Sequence, residues 1–408
     1  MNIAFLVNEF PSLSETFILN QITGLIDAGN KVDIYARNRD GSDRIHNDVY
    51  TYKLLDRTSY VTEIPVNKLK RLLLSLNIIA KNLNRRPVAI LNSLNFFKHK
   101  RKALALSMIF EIAKFFKDYD YDVINCHFGP NGNYAVFLRE IGAIKGKVIT
   151  TFHGYDITRV ASNNSKIYKE LFKKGDLFLP ISNYFKTKLI ELGCDSNKII
   201  VHRMGIDIDR FTFRQRKLKR NEKIRILSVA RLVEKKGLEY GIKAITEVLS
   251  HFPFIEYKIV GDGPLKNNLL NLIRDLDLHD KVEILGWKEQ SEVIKLMYES
   301  HIFLAPSVTA SDGDQEGIPV VLMEAMATGL PVISTVHSGI PELINNEING
   351  FLVPERDVNI LAEKIVQIIK RPEIIEVLSV EGRKKIESDF NVKKQNNKLM
   401  EIFRYITN

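Results

Sequence analysis

The run from Ile302 to Leu343 constrains this chain most, because within it a buried strand has to be followed directly by a helix. IFLAP (Ile302 to Pro306) is a short apolar run of the kind a parallel strand shows when both faces are covered. An acidic loop ending at Glu316-Gly317 comes next, and Pro319 sits where a first helical position belongs, ahead of VVLMEAMATG. The first N–H groups of such a helix have no partner inside it and carry the positive end of its macrodipole. An anion can therefore dock on the turn Gly317, Ile318, Pro319 and Val320 without any side chain. Glu316 precedes that turn and Glu324 lies within the helix, seven residues between them. Taken singly, each glutamate reads equally well as an ordinary charge on a helix. Taken together, two carboxylates beside an anion-binding terminus suit a nucleotide sugar, with phosphates on the amides and a carboxylate for each polyol part.

The length of 408 residues, 45% of them hydrophobic, allows two or three domains with real cores. MNIAFLVNEF lacks a basic stretch before its apolar run and reaches Glu9 too soon for a secretory signal. No apolar run approaches the roughly 18 residues of a membrane span. Only Cys126 and Cys194 are present, which argues against a disulfide framework and fits a reducing cytoplasm. The Cys126-His127 pair lacks zinc-ligand spacing. A net charge of +10 asks for an anionic partner, whether nucleic acid, a membrane surface or a phosphorylated substrate. No helix-turn-helix, RNA-recognition or zinc-finger pattern appears, so nucleic acid is disfavoured.

Short apolar runs alternate with helical stretches along the whole chain. NIAFLVN reads as a first strand, Ser12-Leu13-Ser14-Glu15 matches a capping box opening a helix to about Gly29, and KVDIYAR is the second strand. A right-handed βαβ unit of this kind places the loop Glu9 to Ser14 at the carboxyl edge of its sheet, where ligands bind. VINCHF and KVITTFHG deliver His127 and His153 to the same edge. A second domain begins at IRILSVAR, whose strand ends at Arg231; Lys236 follows just before the next helix, and a guanidinium fork and an ammonium there can converge on phosphate. VEILGW ends at Gly286-Trp287, and a long charged helical tail closes the chain. A Rossmann-type oxidoreductase needs a G-x-G-x-x-G turn after its first strand, and Asn8 to Ser14 contains no glycine. A non-catalytic nucleotide-sugar module or a nucleic-acid binder would suit the charge but leaves His153 and the paired glutamates without a role.

Glu316-Gly317-Ile318-Pro319, Glu324, Gly-Leu-Pro-Val (329–332) and Ser-Gly-Ile-Pro-Glu (338–342) resemble the signature of the retaining glycosyltransferases of family four, which have the GT-B architecture. The resemblance covers nearly the whole chain, and it is strongest to the exopolysaccharide enzymes of the colanic acid and amylovoran type. It implies an α/β protein with two Rossmann-like doubly wound domains facing a cleft. Residues 1–205 would form the acceptor side and 206–385 the nucleotide-sugar domain, with 386–408 a tail packing back on the first. It further implies that His153, within Thr151-Phe152-His153-Gly154-Tyr155-Asp156, contacts the donor sugar, and that Arg231 and Lys236 bind its diphosphate. Glu316 would hold sugar hydroxyls, Glu324 the ribose, and Gly286-Trp287 would lie against the base. Ser14, Glu15 and His127 fall on the acceptor side.

Many family members carry a glycine pair in the first loop, whereas this chain reads Asn8-Glu9-Phe10-Pro11-Ser12-Leu13-Ser14-Glu15-Thr16. The implied reaction retains configuration by a front-face route in which the leaving diphosphate assists the incoming hydroxyl. It needs no cofactor beyond the nucleotide sugar, and no metal. Asp312-Gly313-Asp314 fits an Asp-x-Asp string, but so do four other pairs, so the string carries little information. The expected acceptor is an oligosaccharide or a polyprenyl-diphosphate-linked glycan, and the expected place is the cytoplasm, peripheral on the inner membrane face. Twelve lysines and arginines between Asn67 and Lys117 oppose only Glu111, with Leu, Ile and Phe at helical spacing between them. That segment reads either as a pair of helices with a solvated basic face or as a surface for anionic lipid.

Overall fold

Apolar runs that do not alternate with polar residues have to be covered on both faces, and the chain solves this twice with the same topology. The structure, a computed structural model, describes residues 1–12, 15–39, 45–61, 64–95, 106–116, 120–161, 164, 166–218 and 222–408. The first sheet contains β1 (Asn2–Glu9), β2 (Lys31–Asn38), β3 (Thr58–Tyr60), β4 (Asp120–His127), β5 (Lys145–Phe152) and β6 (Leu177–Pro180), in the order β3-β2-β1-β4-β5-β6. The second contains β7 (Ile224–Val229), β8 (Ile255–Val260), β9 (Val282–Gly286), β10 (Ile302–Ala305), β11 (Val332–Thr335) and β12 (Phe351–Val353), in the order β12-β11-β10-β7-β8-β9. Parallel pairing of β1 with β4, and of β7 with β10, marks the point in each sheet where the strand order reverses. The crevice outside the carboxyl ends at such a point is where open α/β sheets bind ligands.

Two local expectations change. The helix expected to open with a capping box at Ser12 begins at Thr16, so Glu15 stands at its N-cap and its carbonyl accepts the Ile18 N–H at 2.9 Å. That start turns Ile18, Leu19, Ile22 and Leu25 into the core and leaves the Glu15 side chain at the cleft. The helix of the organising run spans Val320–Ala327, with Pro319 as its N-cap in extended geometry and its carbonyl accepting the Leu322 N–H.

The chain returns to its first domain through a single crossing. Helix Glu373–Asp389 packs on the second domain; the Phe390 carbonyl then accepts the Ile206 N–H at 2.8 Å, and Val392 N–H donates to the Ile206 carbonyl at 2.9 Å. Gly205 makes this approach feasible, since a Cβ there would stand 2.7 Å from the Val392 nitrogen. The last helix, Val392–Thr407, lays Leu399, Met400, Ile402 and Phe403 into the core of the first domain beside Ile18, Ile22 and Leu25.

Between β3 and β4 the described residues form three helices, Lys68–Asn82, Pro87–Ser93 and Ser107–Ala113, where a pair was expected. Lys98, Lys100, Arg101, Lys102 and Lys117 lie outside the described residues. Helix Lys68–Asn82 is unusual in that only Ser75 is buried. Leu69, Leu72, Leu73 and Leu76 are exposed, as are the flanking Val66, Leu83, Val88 and Leu91. Among the described residues no helix is long and apolar enough to cross a membrane.

The crossing helix yields a stability prediction. Phe403 is fully buried in the first-domain core, so Phe403→Ala is expected to destabilise that domain by about 3–5 kcal/mol, the usual range for emptying a buried aromatic site. Urea unfolding followed by fluorescence checks this, and a change within about 1 kcal/mol of wild type would show that the tail contributes little there.

Candidate active site

The carboxyl ends of both sheets open on one cleft of about 590 Å³, lined on one side by Glu15, Phe128, His153 and Tyr155, and on the other by Arg231, Lys236, Trp287 and the turn Glu316–Val321. Each residue arrives there because its strand has just ended. Phe152 closes β5 and hands over to His153, while Val229 closes β7 two residues before Arg231.

On the first-domain side, Asp156 organises the turn after β5. Its buried carboxylate accepts N–H bonds from Gly129 at 2.9 Å and from His153 and Gly154 at 3.0 Å each. Burial pushes this carboxyl up to about 6, with the three amides pulling the other way. The sequence signal for this role of Asp156 is an aspartate two residues after a glycine, since such side chains bond backbone N–H groups nearby. His153 packs against Phe17 and Phe128 at ring separations of 4.7 and 4.6 Å, and its Nε2 lies 2.9 Å from Nδ1 of His127. Burial, with His202 nearby, holds the His153 imidazole down to about 3, so the ring is neutral and can act as a hydrogen-bonding group.

His127 does not take the acceptor-side position expected of it. It is 0% exposed, stacked between Phe5 and His153, and burial lowers its pKa well below the ordinary range. A side chain at the last position of a central strand, covered by an aromatic on each side, has no face left for an acceptor. Ser14 lies outside the described residues. Glu15 does reach the cleft, and burial, with Glu9 beside it, raises its carboxyl to about 7.

The second-domain side is a compact charge cluster. Lys236 ion-pairs with Glu316, and Lys235, which sequence reasoning passed over, lies 3.1 Å from Asp314 and 3.8 Å from Glu316. A Lys-Lys doublet before a helix start was the signal for it. Burial, with Lys235 and Arg231 adjacent, lowers the Lys236 ammonium to about 7. Of the Asp-x-Asp pair, Asp314 is occupied by Lys235 and Asp312 by Arg159, at 3.1 Å. Among the described residues no group of three or more His, Cys, Asp or Glu is placed to hold a metal ion.

Glu324 sits one turn along the helix from the cleft, in a small adjoining cavity with Gln290, whose amide donates to it at 3.5 Å. Burial raises its carboxyl to about 7. Trp287 lines the cleft half-exposed, whereas Gly286 is at the sheet edge, its carbonyl accepting the Gly261 N–H. The two halves approach closely at Gly317, where an added Cβ would stand 2.7 Å from Ile181 Cδ1 and 3.0 Å from the His153 carbonyl. Beside this contact the Glu342 carboxylate of the second domain accepts the Asn183 and Tyr184 N–H groups of the first and pairs with Arg203 at 2.6 Å.

Two doubly wound domains facing each other across a basic cleft define a glycosyltransferase of the GT-B class. Residues 14–210 match the model of Glycosyltransferase Family 4, and residues 209–385 match that of the Glycosyl transferases group 1. The Salmonella typhimurium protein WcaL, named as a colanic acid biosynthesis glycosyltransferase, is 38% identical over 100% of both chains. The amylovoran biosynthesis glycosyltransferase AmsK of Erwinia amylovora is 39% identical over 96% of each. The crystal structure of Anabaena HepE in complex with UDP and glucose has a TM-score of 0.72 at 17% identity, covering 99% of this chain and 100% of that one. The chain belongs to glycosyltransferase family four.

Lys236 generates a pH prediction. A cation held near 7 in the free protein regains its proton when a diphosphate binds beside it, so binding should weaken as pH rises above about 7 and take up as much as one proton. Calorimetry with a UDP-, GDP-, ADP- or dTDP-sugar in buffers of different ionisation enthalpy measures this. Absence of proton uptake at pH 8 would show that donor binding does not charge Lys236.

Proposed function

We propose that this glycosyltransferase moves a sugar from a nucleotide-diphosphate donor to a lipid-linked glycan, with retention of configuration and without a metal, in exopolysaccharide biosynthesis. The observation that carries the reading is the convergence of Arg231, Lys236, Glu316, His153 and the start of helix Val320–Ala327 on one cleft. Arg231, Lys236 and the unpaired helix amides would stabilise the charge that develops on the leaving diphosphate, a preorganised contribution of several kcal/mol. Glu316 would hold sugar hydroxyls, with neutral His153 across the cleft from it.

In the front-face route the bond from the anomeric carbon to the diphosphate oxygen breaks and the acceptor oxygen bonds to the same face. The acceptor proton passes to the departing diphosphate. No carboxylate then has to act as nucleophile. The pairing of Asp312 with Arg159 and Asp314 with Lys235 supports the metal-free reading, because both carboxylates already have cations. Glu324 would reach the ribose from its adjoining cavity, Trp287 would cover the base, and Glu15 would face the acceptor. The names of WcaL and AmsK support the pathway.

The lipid-linked acceptor and the membrane surface are supported by helix Lys68–Asn82. Leu69 and Leu73 are 66% and 59% exposed, alongside Lys68, Lys70 and Lys81. Exposed leucines on a basic helix fit the interface of an anionic leaflet, where each Lys or Arg contributes on the order of 1 kcal/mol.

Two measurements test the reading. Arg231→Ala or Lys236→Ala should lower transfer by roughly 10²-fold or more, while EDTA leaves wild type active; near-normal turnover in either folded variant, or manganese-dependent recovery after EDTA, would overturn it. Separately, the protein should sediment with anionic vesicles at low salt and less so at about 1 M, where the Debye length falls to about 3 Å. Replacing Leu69, Leu72, Leu73 and Leu76 by Ser should abolish that binding, and equal recovery with neutral vesicles would exclude a specific anionic surface.

A further inference from the structure

The loop Thr309–Glu316 carries Glu316 to the cleft, and two residues outside the cleft hold both of its ends. At the far end the Glu316 N–H donates to Nε2 of His337 at 3.0 Å. A neutral imidazole has one protonated and one bare nitrogen, so acceptance at Nε2 places the proton on Nδ1. That nitrogen lies 2.6 Å from Glu355 Oε1, which fixes the direction of the pair: Nδ1–H donates and the carboxylate accepts. At the near end Glu355 Oε2 accepts the Thr309 N–H at 2.8 Å. One imidazole–carboxylate pair thus fastens the first and last residues of the loop together.

The pair is built for this. The His337 side chain has 0% exposure, and burial lowers its pKa, which keeps Nε2 bare. Burial alone would raise the Glu355 carboxyl, but the Thr309 amide and His337 bring it below the ordinary range, so it remains an acceptor. Gln315 also donates to Thr309 Oγ1 at 3.3 Å, closing the loop a second time. Neither His337 nor Glu355 lines the cleft.

We propose that His337 and Glu355 are positioning residues that clasp the loop Thr309–Glu316 and so hold Glu316 in register with the donor sugar. This rests on the reading that Glu316 contacts that sugar. The angular demand is real, because a misplacement of about 1 Å in a substrate-positioning group can cost roughly 10²-fold in rate.

The test uses the full chain with His337→Gln and His337→Phe. Glutamine keeps an acceptor and a donor about as far apart as the two ring nitrogens; phenylalanine keeps the bulk and removes both. Amide exchange over residues 309–316 should quicken in His337→Phe and stay slow in His337→Gln. The donor readout is the affinity for a nucleotide sugar relative to its own nucleoside diphosphate, using whichever of a UDP-, GDP-, ADP- and dTDP-sugar panel most raises the wild-type melting temperature. That ratio should fall on the order of 10-fold or more in His337→Phe and recover in His337→Gln, with Glu316→Gln showing the same fall. If Glu316→Gln leaves the ratio unchanged, or no sugar of the panel binds, the reading of Glu316 fails and the proposal falls with it. If Glu316→Gln lowers the ratio while His337→Phe does not, or if both His337 variants exchange and bind alike, the reading of Glu316 stands and the clasp is overturned.

Discussion

The cleft exists because two separate sheets present their carboxyl edges to each other, and the contact that fixes this is the carboxylate of Glu342. It accepts two N–H groups at the start of helix Asn183–Glu191 and pairs with Arg203, so one second-domain anion answers both a helix N-terminus and a guanidinium of the first. Hydrogen bonds to a charged group are roughly twice as strong as neutral ones, and a carboxylate at a helix N-terminus gains from the dipole as well. The glycine at 317 lets the backbones meet next to it, and the Ile206–Phe390–Val392 crossing is a further tie between the halves.

With the edges in place, the electrostatics of the cleft follow from burial. Lys235 and Lys236 pair with Asp314 and Glu316 while Arg231 stands nearby, and the lowered affinity of Lys236 for its proton is the cost of crowding cations where water is scarce. Such a cluster is incomplete without an anion. Across from it, His153 is kept neutral by burial among its aromatic neighbours and by the imidazole of His202. One wall therefore carries the cations and the other an uncharged polar ring.

The exposed leucines of helix Lys68–Asn82 stand apart from this logic. Helices Thr16–Asp27 and Val392–Thr407 turn their apolar stripes inward, against each other. Here the stripe faces outward, and Ile78 and Ile79 alone among its apolar residues pack partly on the core.

Much of the architecture was already legible in the sequence, because the signals involved are local. Continuous apolar runs dictate covered parallel strands, and strand–loop–helix order dictates that Arg231, His153 and Glu316 arrive at carboxyl edges. Those rules hold whatever the rest of the chain does. What the tertiary structure alone decided is which of these residues meet. His127 ends its strand and His153 follows the end of the neighbouring one, yet only packing shows that Phe5 covers the first and the cleft opens on the second. Lys235 and Lys236 are adjacent and identical in type, and only the turn before Gly237 sets Lys235 nearer Asp314 and Lys236 against Glu316. Glu342, His337 and Glu355 gave no sequence sign of their partners, since those lie from 18 to 159 residues away along the chain. A side chain's hydrogen-bond partner across such distances is set by how elements pack, and periodicity and motif spacing hold no information about that.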